Sequence, residues 1–123
     1  MKNNLKARIK LKAPLLCKGD KLPNIFCGDG WYQLISEMMD LLEPMAHDVK
    51  KQYCKEPRLY SIEPSKGSMK VIIDDIDMAM DNVIEQYEDK SGSICETCGE
   101  PGIANGIGWI EVLCKHCAKA AGR

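Results

Sequence analysis

Two close pairs of cysteines constrain this chain more than any other feature. Cys95-x-x-Cys98 is followed, after fifteen residues, by Cys114-x-x-Cys117. A C-x2-C turn brings two sulfurs to the same side. The residues between the pairs can run out and back as a hairpin and deliver the second pair opposite the first. That geometry is a tetrahedral four-sulfur site, which suits Zn²⁺, a d¹⁰ ion with thiolate ligands. Gly99, directly after Cys98, permits the left-handed backbone that lets amide groups face the sulfurs. The stretch "PGIANGIGW" supplies turn chemistry between the two halves.

Four thiolates close the shell, whereas catalytic zinc needs an open position, so the expected ion is one structural Zn²⁺. It would supply folding free energy to a segment of about thirty residues that has few apolar groups of its own. Iron held by four cysteines is chemically possible as well. A thioredoxin-like redox pair needs a βαβ context, which the pattern lacks. His116, between Cys114 and Cys117, is expected to be a non-ligand, because the C-x2-C register already fills the site.

The chain has seven cysteines, an odd count that leaves one unpaired in any all-disulfide scheme. No apolar run is long enough for a membrane span. The start, "MKNNLKARIKLKAPLL", lacks a signal-type apolar region. The chain is therefore expected in a cytosol, where paired cysteines point to metal rather than disulfides. Cys17, Cys27 and Cys54, even with His47, match no ligand spacing and are read as buried free thiols.

At 123 residues, with 45% hydrophobic and 28% charged residues, the composition is that of an ordinary globular chain. The expected architecture is α+β: a small helix-rich domain over 1–92 with short strands, and a four-cysteine zinc ribbon over 93–120. "LKARIKLKA" alternates Leu5, Ala7, Ile9, Leu11 and Ala13 with Lys6, Arg8, Lys10 and Lys12, which reads as a strand with one cationic face. Trp31, Leu34, Ile35, Met38, Met39, Leu41 and Leu42 form a helical stripe, with a kink or break expected at Pro44. "RLYSIEP" reads as a short strand and "SKGS" as the turn after it. Met69, Ile72, Ile73, Ile76, Met80, Val83, Ile84 and Tyr87 then recur at a period of 3.6, which predicts a long helix over about 69–90. In "CGDGW" the glycines allow a sharp entry into the first long helix, Asp29 caps it, and Trp31 anchors it.

A formal net charge of −1 argues against a generically basic nucleic-acid protein, but it hides a dipolar chain. The first segment is basic, and every charged residue between Lys70 and Lys90 is acidic. Asp74, Asp77, Asp81, Glu85 and Glu88 recur at three- and four-residue steps and are expected on one helix face. Like charges at that spacing repel, so the stripe suggests a cationic partner inside or outside the chain.

The order "CGDGW" opening a helix, a short "RLY" strand, a helix, and then "CETCGEPG…GW…LCKHC" resembles a group of small, mostly uncharacterised proteins of phages and prophages. Those proteins carry a Cys-Gly-x-Gly-Trp element, a basic strand, and a C-terminal zinc ribbon with Gly-Trp before the third ligand. Here "CKEPRLYS" stands for the strand without its Phe-Gly, and Cys117 stands where the group often has His. The resemblance implies a phage or mobile-element origin and carries no known activity.

No constellation in the sequence supports an enzyme. The leading expectation is a phage-encoded inhibitor or modulator that contacts a host protein or protein complex in the host cytosol, through Asp74, Asp77, Asp81, Glu85 and Glu88. The alternative is a zinc-ribbon nucleic-acid binder in phage transcription or replication. It would use Lys6, Arg8, Lys10 and Lys12, with Lys115, Lys119 and Arg123 near the ribbon.

Overall fold

The computed structural model describes residues 1–122, and its elements alternate helices with antiparallel hairpins, an α+β chain. Helix α1 spans Asn3–Lys12, and a single 3-10 turn at Asp29–Trp31 leads into α2, Tyr32–Tyr53. Strands β1 (Arg58–Ser65) and β2 (Ser68–Asp74) form a hairpin, and α3 spans Met78–Ser91. A second hairpin, β3 (Ile103–Asn105) with β4 (Glu111–Leu113), precedes the short helix α4, Lys115–Ala120. Arg123 lies outside the described residues.

The basic segment is a helix, which corrects the expected strand. Leu5, Ile9 and Ala13 satisfy a spacing of four as well as a spacing of two, so the alternation did not discriminate. Ile9 and Ala13 are fully buried while Leu11 is 82% exposed, a pattern that only the helix produces. Lys, Leu, Ala and Arg are also strong helix formers, and Ile9 is the one β-branched residue in the segment.

Helix α2 runs through Pro44 without a break. Pro44 and Asp40 both lie on the exposed side, so water can satisfy the carbonyl that the proline ring leaves unbonded. The helix ends at Cys54, whose φ of 56° is left-handed and whose N–H bonds the Lys50 carbonyl. Cys17 and Cys27 are buried as expected; Cys54, at this helix end, is exposed.

The helix expected over 69–90 begins only at Met78. Met69, Val71 and Ile73 are instead the buried positions of β2, paired with β1 in a register that sets Ser65 opposite Ser68. Lys66 and Gly67 close the hairpin with φ of 48° and 87°, the two positive values of a type I′ turn. The β-branched run Val71-Ile72-Ile73 fits the pleat, and Asp77 starts the helix by accepting the Met80 N–H at 2.9 Å.

Helices α1 and α3 both pack on α2, and β2 lies along α3. Trp31, Ile35, Met38, Met39 and Leu42 of the second helix and its entry turn centre the core, with Ile9, Ile62, Met69 and Met80 from its neighbours. The outer edge of β2 is closed by side chains rather than by another strand. The Met69 N–H donates to Ser91 Oγ at 2.7 Å and the Val71 N–H to Glu88 Oε2 at 2.8 Å.

Candidate metal centre

The first cysteine pair sits on the turn that follows α3. The Cys95 N–H donates to the Glu100 carbonyl at 2.7 Å and the Gly99 N–H to the Cys95 carbonyl at 2.9 Å. Gly99 takes a φ of 84°, the left-handed conformation that closes this turn. The Glu96 N–H reaches the Val112 carbonyl at 2.9 Å, which ties the turn to β4. Between the pairs the chain goes out along β3 and back along β4, the hairpin that the spacing predicts. The second pair stands at the start of α4. Cys114 is its N-cap, with Sγ accepting the Cys117 N–H at 3.4 Å. Nothing in the Cys spacing announced that helix.

The four sulfurs of Cys95, Cys98, Cys114 and Cys117 all lie within 4.8 Å of one another. Cys98 Sγ and Cys114 Sγ are 3.7 Å apart. Metal–thiolate bonds of about 2.3 Å in a tetrahedron require sulfur–sulfur edges of about 3.8 Å, so the donor set fits a metal ion. His116 is exposed and is not in the cluster.

The thiols are electrostatically unequal. Burial opposes ionisation of Cys95, but the backbone amides of Cys114, Cys98 and Thr97 outweigh it and bring that thiol down to about 6. Hydrogen bonding to Cys114, with burial and the neighbouring Cys98 and Cys95, pushes Cys117 up to about 12. The Cys95 thiolate thus adds to the forces that oppose ionisation of Cys117.

"CGDGW" is the seat of this centre, a role the sequence reading did not find. A Cβ on Gly28 would stand 2.3 Å from the Glu96 carbonyl oxygen, and one on Gly30 would stand 2.2 Å from that of Cys95. The Gly30 N–H donates to the Glu96 carbonyl at 2.9 Å, and the buried Trp31 indole N–H donates to the Ile94 carbonyl at 2.8 Å. Asp29 does not cap α2. It lies within the 3-10 turn, and its carboxylate accepts the Lys2 N–H at 2.9 Å, at the start of α1.

The acidic residues do not share one helix face. Asp74 ends β2, Asp77 is an N-cap, and Glu88 turns inward to β2, which leaves Asp81 and Glu85 exposed on α3. The lysines are similarly divided. Lys12 pairs with Asp40 at 3.1 Å, and Lys10 donates to the carbonyls of Gly19 and Lys21. Lys6 is half-buried and Arg8 exposed, both on α1, so Lys6, Arg8, Lys10 and Lys12 form no single cationic strand face.

A buried carboxylate escaped the sequence reading altogether. Glu43 is 7% exposed and accepts the N–H groups of Leu15 at 2.9 Å and Leu16 at 3.0 Å, with His47 Nε2 at 2.9 Å. It fastens the turn after α1 to α2. Beside it, burial and the Glu43 charge push the Cys17 thiol up to about 11, and burial pushes Cys27 to about 12, so neither is a ready nucleophile. Among the described residues, no helix is long and apolar enough to cross a membrane. Compared with models of protein families, with curated proteins and with solved structures, the chain finds no match in any of the three.

Proposed function

We propose that this chain is a non-catalytic, zinc-braced binding module, encoded by a phage, that modulates a host protein complex by direct contact. The observation that carries the reading is the tip of the second hairpin. Ile107 is fully exposed and Trp109 is 66% exposed, on a segment whose two ends are held by the four-cysteine cluster. Large apolar side chains presented to solvent are what binding hot spots are made of, with Trp foremost among them. Asp81 and Glu85 on α3 supply acidic contacts to a cationic rim on the partner. Four thiolates favour Zn²⁺ as the resident ion, acting by holding shape.

Affinity capture from host lysate with the metal-loaded protein tests this, run with and without nuclease. A host protein retained after nuclease, and lost with Trp109→Ala plus Ile107→Ser, is the expected result. Capture that vanishes on nuclease treatment would instead support the nucleic-acid reading. Elemental analysis of the purified protein should find one zinc per chain, and iron in its place would overturn the metal assignment.

A further inference from the structure

We infer that the cleft between the 18–24 loop and the start of β1 binds a small organic anion, with a phosphate or carboxylate head and an apolar body. This cleft lies apart from the metal centre and has a volume of about 420 Å³, within the range of small-molecule sites. Its inner side is apolar, formed by buried Leu16 and half-buried Leu59 and Pro23. Its mouth carries Lys18, Lys21 and Arg58, with Asp20 the one acid among the lining residues. Lys18 is neutralised by Glu56 at 3.3 Å, but among the described residues no carboxylate pairs with Lys21 or Arg58. Among the lining residues two cations thus remain against one acid, and Asp74, opposite Arg58 in the hairpin register, forms no ion pair with it, which suits a single anionic head.

The cleft is built rather than loosely draped. Lys10 extends its ammonium to the carbonyls of Gly19 and Lys21 and so folds the loop around its own charge. Asn24 Nδ2 donates to the Tyr60 carbonyl at 3.2 Å, and the Leu59 N–H donates to the Leu16 carbonyl at 2.9 Å. Both walls are therefore joined by hydrogen bonds before any ligand arrives, which lowers the ordering cost of binding. A guanidinium and an ammonium at the mouth of a cleft with an apolar inner side select an oxyanion joined to an apolar group over either part alone.

Amide NMR titrations with phenyl phosphate, benzoate and inorganic phosphate test this on the full, metal-loaded chain. Saturable shifts confined to residues 16–24 and 58–59 are expected with phenyl phosphate or benzoate, in the millimolar range, with inorganic phosphate weaker. Whichever of the two binds tighter identifies the head group. Lys21→Gln with Arg58→Gln should raise the dissociation constant about tenfold or more, while Lys51→Gln, at an exposed lysine outside the cleft, should leave it unchanged. The inference is overturned by the absence of saturable shifts there, by inorganic phosphate binding as tightly as phenyl phosphate, or by Lys51→Gln weakening binding as much as the cleft variants. Lys21 and Arg58 are exposed, so their substitution spares the core, and the amide dispersion of the variants reports that they remain folded.

Discussion

The indole N–H of Trp31 donates to the carbonyl of Ile94 at 2.8 Å, across sixty-three positions of sequence. This bond joins the entry turn of α2 to the turn that carries Cys95, so the cysteine cluster and the helical core share one contact surface.

That surface predicts what a single methyl would do. Gly30→Ala places a Cβ on top of the Cys95 carbonyl, and the clash is with backbone that cannot rotate away. A destabilisation of about 2–4 kcal/mol is expected, in line with overpacked sites and larger because backbone must move. Thermal unfolding should show it. Metal titration should show weaker binding, since the displaced turn carries Cys95 and Cys98. Gly92→Ala, at a helical φ of −64° and with nothing nearer to its Cβ than 3.4 Å, should leave the metal affinity unchanged.

Chelation should act over the same surface. Removing the ion leaves a cluster of thiols around Cys95 with little apolar packing beside it, namely Leu113 and Ala118. Amide signals of residues 94–120 should lose dispersion, while those of α2 and α3 persist. With Trp109→Phe isolating the buried indole, emission from Trp31 should shift as the Ile94 turn loosens. An unchanged emission spectrum on chelation would show that the turn is held without metal.

The cysteine pattern made the metal cluster and its hairpin legible, because ligand spacing is a local constraint. The seat of the cluster was illegible, since Gly28 and Gly30 declare only backbone freedom and not what lies against them. The alternation at Leu5–Ala13 misled because the same apolar positions serve either period, and helix propensity was the signal that separated them. Over Met69–Tyr87 the apolar positions of a strand and of the helix after it run on as one apparent period. The Lys66-Gly67 turn opens the strand and the Asp77 cap opens the helix, both local signals.

Buried Glu43 carries a prediction of its own. Glu43→Ala removes the acceptor for two backbone N–H groups, at Leu15 and Leu16, in a buried setting. Each unsatisfied donor costs about 1–3 kcal/mol, so a loss of about 2–4 kcal/mol is expected. His47→Ala should cost under about 1 kcal/mol, because the His47 ring is more than half exposed. Urea denaturation of the two variants separates these outcomes.

The acidic residues divide by role in the same way. Asp77→Ala removes the cap of α3 and should cost about 1 kcal/mol. Glu85→Lys alters an exposed position inside the helix, between Asp81 and Asp89, and should change stability by less than about 0.5 kcal/mol, while weakening capture of a cationic partner. Glu85, unlike Asp81 in the first turn of α3, is therefore the position at which charge reversal tests binding without disturbing the fold. Equal stability losses at the two sites would contradict the capping geometry.

Metal affinity should rise with pH, and the sign follows from the unequal thiols. Cys95 sits near 6 and is largely thiolate at neutral pH, whereas Cys117 is held near 12 and must lose its proton to bind. Cys98 also ends above its ordinary value, although the Glu100 amide works in the opposite direction. Binding therefore displaces at least two protons above pH 6, and each displaced proton steepens the apparent affinity by about tenfold per pH unit. Between pH 6 and 7 the dissociation constant for Zn²⁺ should fall by at least about a hundredfold, read by competition with a chromophoric chelator. Below pH 6 the Cys95 thiolate takes up a proton as well, and the slope should steepen by about one further unit. A flat profile across that interval would mean that fewer than four thiolates hold the ion.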